Sequence, residues 1–319
     1  MSTVSVIIPA YNEERHIGFC LKSLWPLRLR GDLVEVIVVN DGSTDQTAEI
    51  AKSFGVKLLN SPNLGAGGAR NIGANNALGE LLWFVDADCV VQEDSLDYLL
   101  FHLKNKKNIG VGGSYRNQLP GKYLPSLIHD EIEHKHSLMN GDVDFLASFS
   151  VLYRKDAFLA SGGFNSEFKK AQDVELSFRL AGSGAHLKFE PKSKVYHFHE
   201  ENILKYLKVQ YMQGFYRIKL YREYPAKLKG DSYSSLADMF QPVFSLLILF
   251  SILGFLFESF FMLFWVGLLC LAFSGGVVSY SVYRNFKALK FYYFIPFYLV
   301  RALVRTVGML SYSAGRVIR

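Results

Sequence analysis

An α/β fold, a mostly parallel sheet with helices on both faces followed by an α-helical membrane region, is what three observations predict. Short apolar runs rich in Val, Ile and Phe alternate with segments of helical periodicity up to about residue 200. Each run ends in a polar loop, as a parallel strand does where it hands over to its crossover helix. From Asn202 onward the composition turns apolar, aromatic and basic, which suits helices that meet lipid.

Residues 4–8 predict the first strand, closed by Pro9-Ala10-Tyr11-Asn12. Glu13-Glu14 opens a helix with Ile17, Cys20, Leu21 and Leu24 at helical spacing, stopping near Pro26. Residues 34–39 are a second buried strand ending in NDGSTD; Asp41-Gly42 is turn chemistry, and Ser43, Thr44 or Asp45 can cap the helix that reaches Ser53. Residues 57–59 form a third strand. The glycine-rich loop 63–68 leads to a helix starting near Ala69-Arg70-Asn71, and the run from Leu81 is the fourth strand. Further strands are predicted over 109–115 and 144–153, around a helix over 124–139. A helix then begins at Asp173, and 194–199 is a last short strand.

Ligands of such sheets bind at the carboxyl ends of the strands. Tyr11, Asp41, Arg70, Asp86 and Asp88 all fall at or just beyond those ends. Unpaired buried carboxylates are costly, so two acids one residue apart at a core strand's end call for a cation or a set of donors. A helix cap plus a turn Asp would look the same in isolation; the convergence of strand ends argues for function. The Gly65–Gly68 segment lacks the Lys-Ser/Thr of a phosphate loop, and Arg70 stands where a dinucleotide motif needs its last glycine. The Arg70 guanidinium nonetheless suits an anion.

Asp173 lies near a helix amino terminus, where the dipole stabilises a carboxylate, so capping and chemistry both explain it. His197 and His199 share a strand face and can share a ligand or simply pack. His129, His134 and His136 read as solvated or substrate-facing, because His134 and His136 point to different sides of a helix.

The 319 residues allow one large domain and a smaller region. Half are hydrophobic, and 26 Phe and 18 Tyr are concentrated towards the end. A net charge of +6 beside such a tail points to an anionic membrane surface or phosphate-bearing ligands. No RNA- or DNA-binding motif is visible, and no nucleic acid partner is expected. Cys20, Cys89 and Cys270 have no metal-site spacing, and their odd number speaks against a disulfide framework. Reducing, cytosolic surroundings fit, and a secretion signal is not expected.

The blocks VSVIIPAYNEE, EVIVVNDGSTDQT, GAGGARNIGANNALGELLWFVDAD, GGFNSEF, QDVELSFRL and VYHFH resemble, in order and over residues 3–200, the family 2 glycosyltransferases of GT-A fold. The resemblance implies transfer of a sugar from a nucleotide-sugar (a UDP- or GDP-sugar) to an acceptor, with inversion. It implies a nucleoside pocket from Pro9, Tyr11, Glu13 and Asp41, with Arg70 on base or phosphate. Asp86 would reach ribose or metal, and Asp88 would bind Mn²⁺ or Mg²⁺. His197 would complete the metal shell, with His199 a further candidate, and Asp173 would be the catalytic base. Two departures stand out: Gln172 replaces the first acid of the common Glu-Asp, and residues 145–151 lack the family's frequent Gly- and Asn-containing version.

The domains expected are a GT-A catalytic domain at 1–201, an interfacial amphipathic segment at 202–238, a transmembrane hairpin at 239–283 and a basic amphipathic helix at 284–319. The interfacial segment carries Leu204, Leu207, Tyr211, Phe215 and Ile218 at helical intervals. Apolar runs at 242–257 and 259–283, separated by Glu258, predict the hairpin. Lys227 and Lys229 before it, with Arg284, Lys287 and Lys290 after it, place the catalytic domain and carboxyl terminus in the cytoplasm. The last helix, with Arg301, Arg305, Tyr312 and Arg316 along one face, is read as lying on the surface, or else as a third span. A membrane-tethered transferase implies a lipid-linked sugar or glycolipid acceptor, and Asp173 favours a hydroxyl. The alternatives are a polyprenyl-phosphate acceptor, which needs little base catalysis, and a non-catalytic nucleotide-sugar-binding membrane protein. A processive polymer synthase is disfavoured, because Gln213-Gly214-Phe215-Tyr216-Arg217 only loosely resembles Q-x-x-R-W.

Overall fold

The computed structural model describes residues 4–234, 236–253, 261–286 and 291–315. Its chain divides into two compact units. One comprises Met1–Pro120 and His136–His199, the other Gly121–Lys135 and Glu200–Arg319.

The first unit is a mixed nine-stranded sheet clad by helices. Strands β1 (Val4–Ala10), β2 (Leu33–Asn40), β3 (Lys57–Asn60) and β4 (Leu81–Val85) are mutually parallel in the order β3-β2-β1-β4. They are joined through α1 (Ile17–Leu29), α2 (Thr47–Ser53) and α3 (Gly65–Asn75). Val36–Val39 and all of β4 are buried, as strands covered on both faces must be. Next come β5 (Cys89–Val91), α4 (Ser95–Leu103) and β6 (Asn108–Asn117). Helix α5 (Tyr123–Leu138) precedes β7 (Gly141–Val143), β8 (Ser150–Arg154) and α6 (Lys155–Ala160). Helix α7 (Gln172–Gly182) and β9 (His186–His197) complete it. Beyond β4 the order is β8-β6-β9-β5, with β8 antiparallel to both of its neighbours.

Four elements differ from the sequence expectation. Helix α1 runs through Pro26 to Leu29, because that proline falls in the last turns while Leu27 keeps the helix packed in the core. Helix α3 starts at Gly65, four residues early: the expected loop is itself helical. Of the expected strand 144–153 only residues 150–153 are extended, as part of β8, and 144–149 lie outside any strand. Strand β9 is longer than expected and ends at His197, so His199 lies beyond it.

The second unit is helical: α8 (Ile203–Glu223), a 3-10 turn (Pro225–Lys229), α9 (Leu236–Leu253), α10 (Phe261–Phe286) and α11 (Phe291–Ser313), joined by residues 121–135, which include most of α5. Asn202 caps α8, its side chain accepting from the N–H groups of Leu204 and Lys205. Helices α8 and α11 meet backbone to backbone. A Cβ on Gly214 would lie 2.0 Å from the Arg305 carbonyl oxygen, and one on Gly308 would lie 2.1 Å from that of Tyr211. Leu127, Ile248, Leu271, Tyr298 and Ala302 form an apolar core in this unit.

Among the described residues no helix is long and apolar enough to cross a membrane, and the expected hairpin at 239–283 includes residues 254–260, which lie outside the described residues. The described part of helix α9 reaches Leu253, and the rest of the predicted run, 254–257, lies outside the described residues. Its first turns carry Asp238, Gln241 and Pro242. Glu258, Lys287, Lys290 and Arg316 lie outside the described residues. The reading of α11 as a basic surface helix is corrected: Arg301 is buried, because its face of α11 turns inward onto Glu131. Large apolar side chains do remain exposed on α9 and α10, among them Phe240, Met262, Trp265, Leu269 and Phe273.

The glycine contacts make a stability prediction. Gly308→Val forces α8 and α11 apart and is expected to cost about 3 kcal/mol or more, read as a fall in melting temperature. Gly276→Ala, where a Cβ meets nothing within 4 Å, should be neutral or slightly stabilising.

Candidate active site

The carboxyl ends of the parallel strands are in step. Ala10 of β1 aligns with Asn40 of β2, and Asn40 with Asn60 of β3. Asp41 follows β2 and is buried; its Oδ1 accepts from the Leu64 N–H (2.8 Å) and its Oδ2 from the Gly65 N–H (2.7 Å). Those are first-turn donors of α3 that have no partner within the helix. Asp41 therefore caps α3 from another strand, which is why the helix starts at Gly65 and not near Ala69. Pro9 lies in β1, and Tyr11 just past it is half exposed. The Glu13 carboxylate lies 2.8 Å from His16 Nδ1, and burial outweighs that contact to raise the Glu13 pKa.

Arg70, on α3, is 3% exposed. Its Nη2 pairs with Asp86 Oδ1, and its Cζ lies 5.4 Å from the centre of the Phe164 ring. With the amide oxygen of Gln172 turned towards it, Gln172 accepts from Arg70 Nη1 (3.2 Å) and from the Gly67 N–H (3.2 Å). Gln172 and Phe164 are thus members of the site that sequence reasoning missed. The one signal for Gln172 was its departure from the common Glu-Asp pair.

Asp86 and Asp88 sit in the turn between β4 and β5. The Asp86 N–H donates to the Phe149 carbonyl (3.1 Å) and the Cys89 N–H to the Asp86 carbonyl (3.0 Å). Strand β5 pairs with β9 in the register Cys89↔His197, and the Phe198 N–H donates to the Asp88 carbonyl (3.0 Å). This ladder sets His197 Nε2 3.3 Å from Asp88 Oδ2. Burial works to raise the Asp88 pKa, yet the His197 charge and hydrogen bond outweigh it and hold the carboxyl below its ordinary value. Burial likewise opposes the charge on His197, and Asp88 overcomes it and raises the imidazole pKa.

Asp88, Cys89 and His197 bring ligand atoms within 4.8 Å of one another, the one such group among the described residues. A carboxylate and an imidazole suit a hard or borderline divalent ion. Cys89 adds little, because burial pushes its thiol pKa well up and keeps it protonated. His199 Nδ1 lies 3.0 Å from His197 Nδ1, behind the ring that faces Asp88, where it can fix the tautomer of its neighbour.

Asp173 occupies the first turn of α7 but does not cap it. Ala171, left-handed with φ 62°, holds the cap position, and Asp173 Oδ1 accepts from the adjacent Val174 N–H (2.9 Å). Burial raises the Asp173 pKa; the Arg70 charge works against that rise and the Asp86 charge adds to it. A carboxylate destabilised by burial and coupled to Arg70 is suited to accept a proton beside a leaving anion. The three histidines of α5 are buried, where solvated or substrate-facing side chains were expected. His129 faces Glu133 at 3.5 Å, and His136 stacks on Tyr115.

Acids, an arginine and a histidine thus gather around the carboxyl ends of the parallel strands. Residues 5–160 match the family model described as Glycosyl transferase family 2. The chain is 30% identical over 205 residues to "Probable glycosyltransferase YdaM" of Bacillus subtilis (strain 168), covering 59% of this chain and 49% of that protein. It is 25% identical over 271 residues to the poly-beta-1,6-N-acetyl-D-glucosamine synthase of Staphylococcus aureus (strain COL), covering 79% of this chain and 64% of that protein. It thus spans about half to just under two thirds of these relatives. The fold is shared with the mannosyltransferase PcManGT of Pyrobaculum calidifontis, solved with GDP-Man and Mn²⁺. The TM-score is 0.63 at 16% identity, over 98% of this chain and 88% of that one.

Asp41 offers a direct check on how the site is built. Asp41→Asn turns one acceptor into a donor facing backbone N–H groups, and is expected to cost about 2 kcal/mol in urea unfolding.

Proposed function

We propose that this chain is an inverting glycosyltransferase that moves a sugar from a UDP- or GDP-sugar to the hydroxyl of a membrane-associated acceptor, a lipid-linked sugar or a glycolipid. The observation that carries this reading is that Asp173, half-buried and with a raised pKa, shares its surroundings with Arg70 and Asp86. Base and leaving-group clamp thus belong to one site. That PcManGT binds GDP-Man and Mn²⁺ on the same fold supports a nucleotide-sugar donor.

Pro9, Tyr11, Glu13 and Asp41 line the nucleoside end, with Asp41 also holding the start of α3. Asp88 and His197, with Asp86 beside them, would hold a divalent cation, Mn²⁺ or Mg²⁺, whose chemistry there is to neutralise the diphosphate. His199 supports His197 from behind. The acceptor oxygen attacks the anomeric carbon as the bond to the diphosphate oxygen breaks. Asp173 takes the acceptor's proton, and Arg70 stabilises the charge that gathers on the departing diphosphate.

The exposed apolar side chains of α9 and α10 support contact with a membrane, and with it an acceptor carried by a lipid. The likeness to a polysaccharide synthase raises the competing reading of polymer formation. Against it, Gln213 is engaged with Arg305, and Arg217 with Tyr221 and Ser234, inside the helical unit. Membranes containing the protein, incubated with a panel of labelled nucleotide-sugars and extracted with organic solvent, are expected to yield a labelled lipid carrying one added sugar. Water-soluble polymer in its place would establish the competing reading.

Two variants test the roles. Asp88→Ala is expected to abolish metal-dependent binding of the nucleoside diphosphate in calorimetry; unchanged affinity with Mn²⁺ would remove the metal assignment. Asp173→Asn should retain donor binding and lose transfer by about 100-fold or more, whereas near-normal turnover would point to a phosphate acceptor. The base works only when ionised and burial raises its pKa, so wild-type kcat should fall towards acid pH with a midpoint above the ordinary aspartate value.

A further inference from the structure

The helical unit holds a buried guanidinium to which the transfer chemistry gives no task. Arg301 of α11 is 1% exposed. Its Nη1 pairs with Glu131 of α5, and its Cζ lies 5.1 Å from the centre of the Tyr298 ring. Its Nε and Nη2 meet no acceptor among the described residues. These two nitrogens form one edge of the planar group, where two N–H bonds run side by side and match two oxygens of a single oxyanion. The chain shows that edge in use elsewhere: Arg179 Nε and Nη2 hold the two oxygens of Glu175 at 2.8 and 3.0 Å. Buried charged donors are rarely left unmatched, because they forfeit their hydration without replacement.

Charge points the same way. Glu131 is divided between Arg301 and Lys135, whose Nζ lies 3.3 Å from the other carboxylate oxygen. Arg305, one helical turn further on, donates to the neutral amide oxygens of Gln210 (2.7 Å) and Gln213 (3.1 Å). Burial, and then the Arg305 charge, both work against the charged form of Arg301. An anion beside the Nε–Nη2 edge would relieve both. A phosphate ester matches best, with near-dianionic charge at neutral pH and more than two oxygens to share between guanidinium groups.

We propose that the Nε–Nη2 edge of Arg301, with Arg305 one turn away, is a binding site for a phosphate ester. Its source as the phosphate that joins an acceptor to its lipid rests on the reading of a lipid-linked acceptor given above; free phosphate offers the same oxygens. The full-length chain in detergent is titrated with farnesyl phosphate, inorganic phosphate and farnesol. The same titrations are run on Glu131→Gln and on the double variant Arg301→Gln/Glu131→Gln, which removes the cation and its acid together. Farnesyl phosphate is expected to bind the wild type, at least tenfold more weakly the double variant, and more tightly Glu131→Gln, in which Arg301 is no longer neutralised. Equal affinity for wild type and double variant overturns the proposal, as does farnesol binding as well as farnesyl phosphate. Weakening by Glu131→Gln alone overturns it too, because the pair would then serve only packing. Inorganic phosphate binding with the same Arg301 dependence upholds the site and assigns free phosphate as its source. Mn²⁺-dependent nucleoside diphosphate binding is followed on the same samples; its absence from the wild type strikes the donor reading and leaves this site standing.

Discussion

A guanidinium cannot be buried alone, and the catalytic unit is arranged around that constraint at Arg70. The turn after β4 supplies Asp86, the start of α7 supplies Gln172, and the loop before it supplies Phe164 to lie against the cation. Arg70 therefore ties α3, the acidic turn and the α7 helix to one point. Asp173 feels its charge because Gln172, one residue before it, holds the same guanidinium. A lysine could not replace this, since a point charge lacks the planar edge and fork that serve several acceptors at once.

A second constraint is the β5–β9 ladder. Its register sets His197 opposite Cys89 and so beside Asp88, although the two lie more than a hundred residues apart in the chain. The pair opposes its own burial: each partner's charge offsets the desolvation that works against the other's. His199 then takes a supporting place against the far side of the His197 ring.

Much of the fold was legible, because alternating buried strands and capped helices carry local signals. Val36 to Val39 read as a buried strand, and Leu204, Leu207, Tyr211, Phe215 and Ile218 marked α8 by their helical spacing. What was missed depended on partners distant in sequence. Nothing near Gly65 shows that Asp41 will cap α3, so the helix was placed four residues late. Arg301 looked like a surface charge because the hydrophobic period of α11 says which residues share a face, and not that Glu131 will lie against it. The apolar runs after residue 239 read as spans by composition alone, and residues 254–260 within them lie outside the described residues.

By itself the sequence determined the residue types at the strand ends, and with them a resemblance to a family. Those are short-range properties: an apolar run, a turn, and the acids or arginine that follow. Only the tertiary structure decided which of these residues stand together. Asp41 is engaged by backbone, Gln172 joins Arg70, His197 faces Asp88 and His199 stands behind it. Each of those contacts closes a long loop, and its geometry is set by strand register and helix packing, which no local stretch of chain encodes.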